Sequence, residues 1–446
     1  MENKVSRRKF IKKTALAGSG ALALGSLQMP AYSYAKILGA NDRINFGVVG
    51  MNGRGIQHIN MAAKAKNTAI RYLCDVDSRV LERANKMTLE LTGKKANPIE
   101  DFRELLEKKD LDAIMVATPE HWHAPMGIMG MQAGKHVYLE KPSSHNPREG
   151  EMLVQVQQST GKTLQIGTQQ RSAPTSFQAV KDIRDGIIGK AYMGKAWYSN
   201  KRGSIGIGKP ASIPNWLNWE LWQGPAPRTA YKDNIVHYNW HWFERWGTGE
   251  IHNNGTHEID ICRWALGVDY PARVTSSGGR YHFQDDWEYY DSQMANFEFE
   301  GGKMISWEGR SCAPFKHHGR GRGVTIHGTA GTILLDRNEY IAYDMDNNII
   351  KKMAEDEISA TTDTVGAGGL DDFHINNFLE SIRSGAPLNA PIQDAHKTNV
   401  LCHLGNISQK VGRSLNIDTS NGKILNDEEA MKSWSRSYEK GWEPKS

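Results

Sequence analysis

Two short runs in this chain carry side chains suited to moving a proton on and off an oxygen. Glu140-Lys141-Pro142 closes an apolar run, His136 to Leu139, and Gly247 to Asp260 reads GTGEIHNNGTHEID. A lysine facing an alcohol can hold charge developing on the oxygen or relay its proton, and partial burial lowers its pKa toward a useful value. In the second run Asn253 and His257 are four residues apart, one helical turn, so both side chains can face one cleft. Histidine titrates near neutrality and suits the role of base for a hydroxyl proton, and a neighbouring side chain can orient its ring. Asp260 reads as a helix-surface or core acid. Taken alone, Lys141 could equally be a solvated turn lysine and His257 a structural histidine. A third run, Ala117-Thr118-Pro119-Glu120-His121-Trp122-His123, also follows an apolar stretch. His121 and His123 lack the partners a metal needs, and His123 reads as a helix-start residue, so no metal is expected.

The elements needed to position these groups begin at GVVGMNGRG, Gly47 to Gly55. Apolar residues Ile44, Phe46, Val48 and Val49 precede it, and a helical stretch, Ile56 to Ala65, follows. Gly50-x-Asn52-x-x-Gly55 occupies a G-x-G-x-x-G frame, with Gly53 beside it. Such a loop turns tightly, lets backbone N–H groups approach a pyrophosphate and packs a helix close to its strand. Asn52 stands where the middle glycine is usual. Asn tolerates left-handed backbone, and Gly53 can take the close approach instead. A second apolar run, Ile70 to Cys74, ends at Asp75, about 20 residues beyond the glycines, where a carboxylate accepts both ribose hydroxyls. That carboxylate favours NAD, because a ribose 2′-phosphate would face a like charge. Arg79 nearby leaves NADP as the second choice.

From Arg43 to about Gly167, apolar runs alternate with helical stretches at the lengths of a parallel, doubly wound sheet. In such sheets ligands gather at the carboxyl ends of the strands, where the Thr118 and Lys141 runs lie. After Gly189, alternating runs at Arg273 to His282, Tyr290 to Phe299, Lys303 to Glu308, Gly323 to His327 and Gly331 to Leu335 read as antiparallel strands joined by glycine turns. Helices return at Leu370 to Ser384 and Pro391 to Gly412. Gly203 to Asp233 reads as a long surface loop, and Gly366 to Gly369 as a hinge. The expected fold is α/β: a Rossmann domain over residues 36–168, then an α+β domain over 169–446 with a large open, mostly antiparallel sheet. The terminal helices, 370–412, are expected to pack back on the first domain.

Together GVVGMNGRGIQH, CDVD, ATPEHWHA, EKP and GTGEIHNNGTHEID resemble, in order and spacing, the Gfo/Idh/MocA family of oxidoreductases. The resemblance runs from Ile44 to about Gly412. It implies a cofactor site at Gly50, Asn52, Gly53, Arg54, Gly55, Asp75, Thr118, Pro119, His123, Glu140 and Lys141. It implies that Lys141 and His257 handle the proton. Many members carry Asp where this chain has Asn253; Asn can position substrate but cannot take a proton. The resemblance also implies polar groups near the nicotinamide or substrate at Gln169, Gln170 and Arg171, and a homo-oligomer through the C-terminal sheet. WLNWELWQGPAP, Trp216 to Pro227, looks like secreted members from saccharide-degrading bacteria. The chain has 13 Trp, and six of them lie between Trp216 and Trp246; aromatic faces suit the C–H faces of sugars. Tyr238, Trp240 and His241 join Gln169 and Arg171 as candidate substrate contacts.

The first residues set the compartment. SRRKFIKK, Ser6 to Lys13, matches a twin-arginine export signal, and Ser33-Tyr34-Ala35 offers a cleavage site, so residues 1–35 are expected to be removed and the protein to be periplasmic or secreted. The apolar stretch between them is too short and Gly-rich for a membrane span. That route carries folded proteins, so the cofactor is expected to travel already bound. The net charge of +5 lies partly in the signal, and no basic run follows it, so nucleic acid is not implied. Four widely spaced cysteines without a CxxC suggest neither zinc nor a disulfide framework. The expected function is NAD-dependent oxidation of a sugar, polyol or glycoside hydroxyl. A second possibility comes from the resemblance: some members are NAD-dependent glycosidases, in which oxidising a ring hydroxyl acidifies the adjacent C–H, the aglycone leaves, water adds and the ring is reduced again.

Overall fold

The computed structural model describes residues 43–354 and 368–446. The export signal expected over residues 1–35, and Gly366 of the expected hinge, lie outside the described residues. The described chain opens on β1 (Ile44–Val49), α1 (Arg54–Lys64), β2 (Thr68–Cys74), α2 (Ser78–Thr92), β3 (Asn97–Ile99), α3 (Phe102–Leu106), β4 (Ala113–Val116), α4 (His123–Gln132), β5 (His136–Leu139), α5 (Pro147–Thr160) and β6 (Leu164–Ile166). The strands form one parallel sheet in the order β3-β2-β1-β4-β5-β6. Helices cover both faces, so central strands such as β4, AIMV, are apolar at every position and wholly buried. Caps set the helix ends. The Asp77 carboxylate accepts from the amides of Arg79 and Val80, and Asn146 caps α5 ahead of Pro147; Gly93 and Gly161 end their helices in left-handed backbone. The strand order reverses between β1 and β4, which opens a crevice at their carboxyl ends.

The second half holds α6 (Pro174–Arg184), β7 (Ala191–Ser199), α7 (Trp219–Gln223), α8 (Glu250–Asn253), α9 (Gly255–Leu266), β8 (Arg273–Gly279), β9 (Ser292–Phe299), β10 (Lys303–Arg310), β11 (Arg322–Gly328), β12 (Gly331–Leu335), β13 (Glu339–Tyr343), β14 (Ile349–Ala354), α10 (Gly368–Ser384), α11 (Ile392–Val411) and β15 (Leu415–Asn416). Nine strands form one open sheet, β14-β13-β12-β11-β7-β10-β9-β8-β15. Its neighbours are antiparallel except β7 and β10, which run parallel. On one face α9 buries Ile259, Ile261 and Cys262 against Phe297, Ile305 and Trp307. Each such side chain contributes about 1.5–3 kcal/mol. The contact is close: a Cβ on Gly194 of β7 would stand 2.9 Å from Cys262 Sγ. The helix α10 sends Ile375, Phe378 and Leu379 into the same core cluster as Phe46, Val48 and Met115 of the first sheet.

Five strands lay outside the expected set: the short β3 and β15, β7, whose apolar pattern is broken by Gly194 and Lys195, and β13 and β14, which follow the last alternating run. The stretch Gly203 to Asp233 is not simply a surface loop. It contains α7 and folds Leu217, Trp219, Trp222, Ala226 and Tyr231 into a buried cluster with Trp246. Arg171 is also not a cleft residue. Its guanidinium pairs with Asp260 of α9 at 2.6 and 2.8 Å and with Asp394 of α11 at 2.8 Å, all but closed to solvent. Asp260 is thus a core acid, which also accepts from Thr398 Oγ1 at 2.7 Å. Asp260→Ala would leave the buried guanidinium with Asp394 as its one remaining acid, and urea unfolding should show a loss of about 3 kcal/mol.

Candidate active site

One cleft runs along the carboxyl edge of the parallel sheet. Its lining follows the strand order: Asp75 after β2, Gly50 to Arg54 after β1, Thr118 to Glu120 after β4, Glu140 and Lys141 after β5, Gln169 after β6. With neighbouring strands ~4.8 Å apart, β2 and β5 lie about 14 Å from each other. The second half closes the cleft with His237, Trp240, His241, Asn253, Asn254, His257 and Arg337.

The glycine loop has the shape of a cradle. Gly50 has φ +76°, and a Cβ on it would stand 2.8 Å from the Ala117 carbonyl oxygen. A Cβ on Gly55 would sit 1.9 Å from the Gly50 carbonyl oxygen. These two glycines are required by close packing. At Gly53 a Cβ meets no protein atom within 4 Å, which leaves open space beside the start of α1 where a pyrophosphate belongs. Asn52 has normal backbone and is held by Arg83, which donates to its carbonyl and side-chain oxygens at 3.1 Å. The Asp75 carboxylate accepts from the Met51 amide at 2.7 Å and the Asp77 amide at 3.0 Å, so it both shapes the loop and faces the cleft. Arg79 is committed elsewhere: it pairs with Asp77 at 2.8 Å and lies flat over Trp216.

Glu140 anchors the middle of the cleft. Its carboxylate accepts from Arg54 Nε at 2.7 Å, His58 Nε2 at 3.1 Å and Gln169 Nε2 at 3.1 Å. Burial pushes this carboxyl up, but the Arg54 cation and the His58 bond outweigh it and hold it well below the usual carboxylate range. Arg54 continues to Asp371 of α10 through two bonds of 2.8 and 2.6 Å. His123 sets the next turn: its Nδ1 lies 2.6 Å from the Pro142 carbonyl and its Nε2 2.8 Å from that of Thr118. Burial lowers its pKa, and the neutral ring donates to one of the two.

Lys141 Nζ donates to the Asn253 carbonyl at 2.5 Å and lies 3.4 Å from its Oδ1. Burial lowers the lysine's pKa, with Glu140 and Glu120 pulling the other way. Asn253 and His257 both line the cleft, although the helix breaks between them at Asn254, and α8 and α9 carry one each. The His257 ring bonds no described residue. Burial, then Arg337 and Lys141, keep it neutral with a pKa well below the usual imidazole value. His241 is fixed by Nδ1 donating to the Tyr238 carbonyl at 2.6 Å and stacks on Trp240. Tyr238 does not reach the cleft; its hydroxyl accepts from Arg202 at 2.7 Å.

Glu120 is a cleft residue that sequence reasoning passed over. It is buried and accepts from the Thr248 hydroxyl. Burial pushes it up to about 7, against the pull of Thr248 and Lys141. Its signal was present, as an acid at a strand end, but burial decides its charge. Arg337 had no sequence signal, whereas Gln170, expected beside Gln169, does line the cleft.

Two family models match this architecture. Residues 44–168 match "Oxidoreductase family, NAD-binding Rossmann fold", and residues 177–334 match "GFO/IDH/MocA C-terminal domain". The chain belongs to the Gfo/Idh/MocA family. Its cofactor is NAD, and the cradle and the Asp75 carboxylate fit that cofactor. Among curated relatives, an alpha-N-acetylgalactosaminidase from Tannerella forsythia is 24% identical over 92% of this chain and 94% of its own. A glycosyl hydrolase family 109 protein from Parabacteroides distasonis is 23% identical over 93% of this chain and 96% of its own. Among solved structures, a levoglucosan dehydrogenase in complex with NADH and levoglucosan superposes with a TM-score of 0.66. It is 19% identical and covers 84% of this chain and 99% of that one. This likeness is one of fold. Among the described residues no helix is long and apolar enough to cross a membrane.

Two measurements test this Gfo/Idh/MocA site without a substrate. Gly55→Ala should leave the protein with little bound NAD, read by mass spectrometry of the small molecules released on denaturation. Glu120 binds its proton more tightly folded than unfolded, so its contribution to stability is present below pH 4.5 and is lost as pH rises to about 7. Urea unfolding should show Glu120→Gln gaining roughly 2–3 kcal/mol on the wild type across that window.

Proposed function

We propose that the protein is an exported oxidoreductase that keeps NAD bound and acts on a hydroxyl of a sugar, polyol or glycoside. The observation that carries this reading is the meeting of Lys141, Asn253 and His257 in the same cleft as the glycine cradle and Asp75. NAD, when bound, supplies the two-electron acceptor for the carbinol carbon. His257, neutral and without a protein partner, accepts the hydroxyl proton. Lys141 holds the oxygen as charge develops on it, and Asn253 keeps the ammonium pointed. A charge fixed in advance at that oxygen supplies a large share of the rate. His241 offers a second neutral acceptor, and Trp240 a flat face for the sugar ring.

The arginine pair at Arg7 and Arg8 supports export in the folded state, and hence a cofactor retained through the cycle. The open sheet supports a homo-oligomer. Met193 and Met304 are register partners on the face turned away from α9, and Met294 on that face is half exposed.

A second reading is favoured by the full-length likeness to proteins named as glycosidases. In it the same residues serve a cycle without net redox change, and a retained cofactor suits that cycle.

Lys141→Ala and His257→Ala should each keep NAD while turnover falls by roughly 10²–10⁴-fold; near wild-type rates in both would end the assignment. Incubation with nitrophenyl glycosides and no added acceptor separates the two readings. Many-turnover release of nitrophenol supports the glycosidase, and a keto-sugar formed only with an acceptor supports the dehydrogenase.

A further inference from the structure

We propose that Arg337 is a carboxylate anchor and that the sugar taken by this cleft is a uronic acid or a uronide. The inference rests on the carbohydrate reading above and names the class of carbohydrate.

Arg337 lies in the turn between β12 and β13 and lines the cleft alongside Gln170, Asn254 and His257. Its guanidinium makes no hydrogen bond or ion pair with any described residue. The other arginines around it are committed. Arg54 is shared between Glu140 and Asp371, and Arg322 forms a two-bond pair with Glu258 at 2.7 and 3.0 Å and a third bond to Asn254. The acids nearest Arg337 in charge terms, Glu258 and Asp371, are therefore already satisfied. The acids flanking it in sequence turn away: Asp336 and Glu339 both pair with Arg320, at 2.8 and 2.5 Å.

The turn itself is built to present this side chain. Asp336 Oδ1 accepts from the amides of Asn338 and Glu339 at 2.8 and 3.0 Å, and the Asp336 carbonyl accepts from Gln170 Nε2 at 3.2 Å. Burial and Arg322 bring the Arg337 pKa down to about 9, so the group remains cationic at neutrality. A partly buried, unpaired guanidinium is costly unless an anion completes it. Its fork of N–H donors matches a carboxylate bidentately.

The cofactor also carries anions, its phosphates. The cradle for these is at Gly50 to Gly55, whereas Arg337 is the charge that weighs most on His257. Arg337 lines the cleft with Asn254 and His257, at the proton-handling end, although Arg54 of the cradle also bears on it. It also couples recognition to chemistry, because a carboxylate on Arg337 cancels the cation that most weakens His257 as a base.

The test is calorimetric titration of NAD-loaded protein with D-glucuronate and D-galacturonate against D-glucose and D-galactose. A uronate should bind at least about tenfold more tightly than its neutral parent. Arg337→Gln, unfolding at a temperature no lower than the wild type and retaining NAD, should lose that preference, and Arg337→Lys should keep part of it. Equal binding of neutral and acidic sugars by the wild type would overturn the proposal. So would an Arg337→Gln protein that sheds NAD yet still prefers uronates, which would assign the cation to the cofactor phosphates. Uronate binding that depends on Arg337, but reduces no cofactor and releases no aglycone, would uphold the anchor while removing the oxidation reading.

Discussion

A buried carboxylate at the end of a central parallel strand has to be neutralised where it stands, and in this protein that carboxylate is Glu140. Arg54 supplies the charge, His58 and Gln169 fill the remaining acceptor positions, and Arg54 goes on to Asp371. The clasp therefore joins the start of α1, the end of β5, the segment after β6 and the helix α10 of the second half. Removing one partner from such a buried set costs about 3–5 kcal/mol, because it leaves the other charge without compensation. Lys141 follows Glu140 directly in the chain. Its reach to Asn253 is set by a strand end that cannot shift without breaking the clasp.

The rest of the cleft is organised by what burial does to charge. Three imidazoles, on His123, His241 and His257, are kept neutral, each by desolvation first. Two of them spend a ring nitrogen on backbone carbonyls. Among the described residues the His257 ring has no hydrogen-bond partner, so it and the free Nε2 of His241 are the acceptors open to a proton from a bound molecule. Arg337, Lys141, Arg322 and Arg54 all weigh on His257 as cations, so the site favours negative charge developing on an oxygen. An acidic carbohydrate would answer both needs: it completes Arg337 and restores proton affinity to His257.

Much of the first half was legible because its strands are largely buried on both faces and therefore read as nearly continuous apolar runs, broken at Asn45 and Arg71. β1, β2, β4 and β5 stand within two residues of where those runs predict them. The glycine loop was legible because close approach admits no side chain at Gly50 or Gly55. The second half was harder. β7 carries Gly194 to make room for Cys262, and that need exists only once α9 is docked. The loop from Gly203 to Asp233 has the composition of a surface segment, yet its tryptophans find one another and form a small core. Arg171 follows a Rossmann strand as a substrate contact would, but two helices distant in sequence bring it Asp260 and Asp394.

The sequence by itself determined the order of elements, the tight glycine loop and the acid that follows β2, because each follows from local spacing and from side-chain type; the pairing of Lys141 with His257 came from the family resemblance. The tertiary structure decided which charges are paired and which are left over. Nothing local tells that Arg54 is paired while Arg337 is left over, or that Glu140 is held charged while Glu120 is pushed up. Whether an ionisable group is neutralised depends on what the other half of the chain carries to within hydrogen-bonding distance, and on how much water is excluded when it arrives.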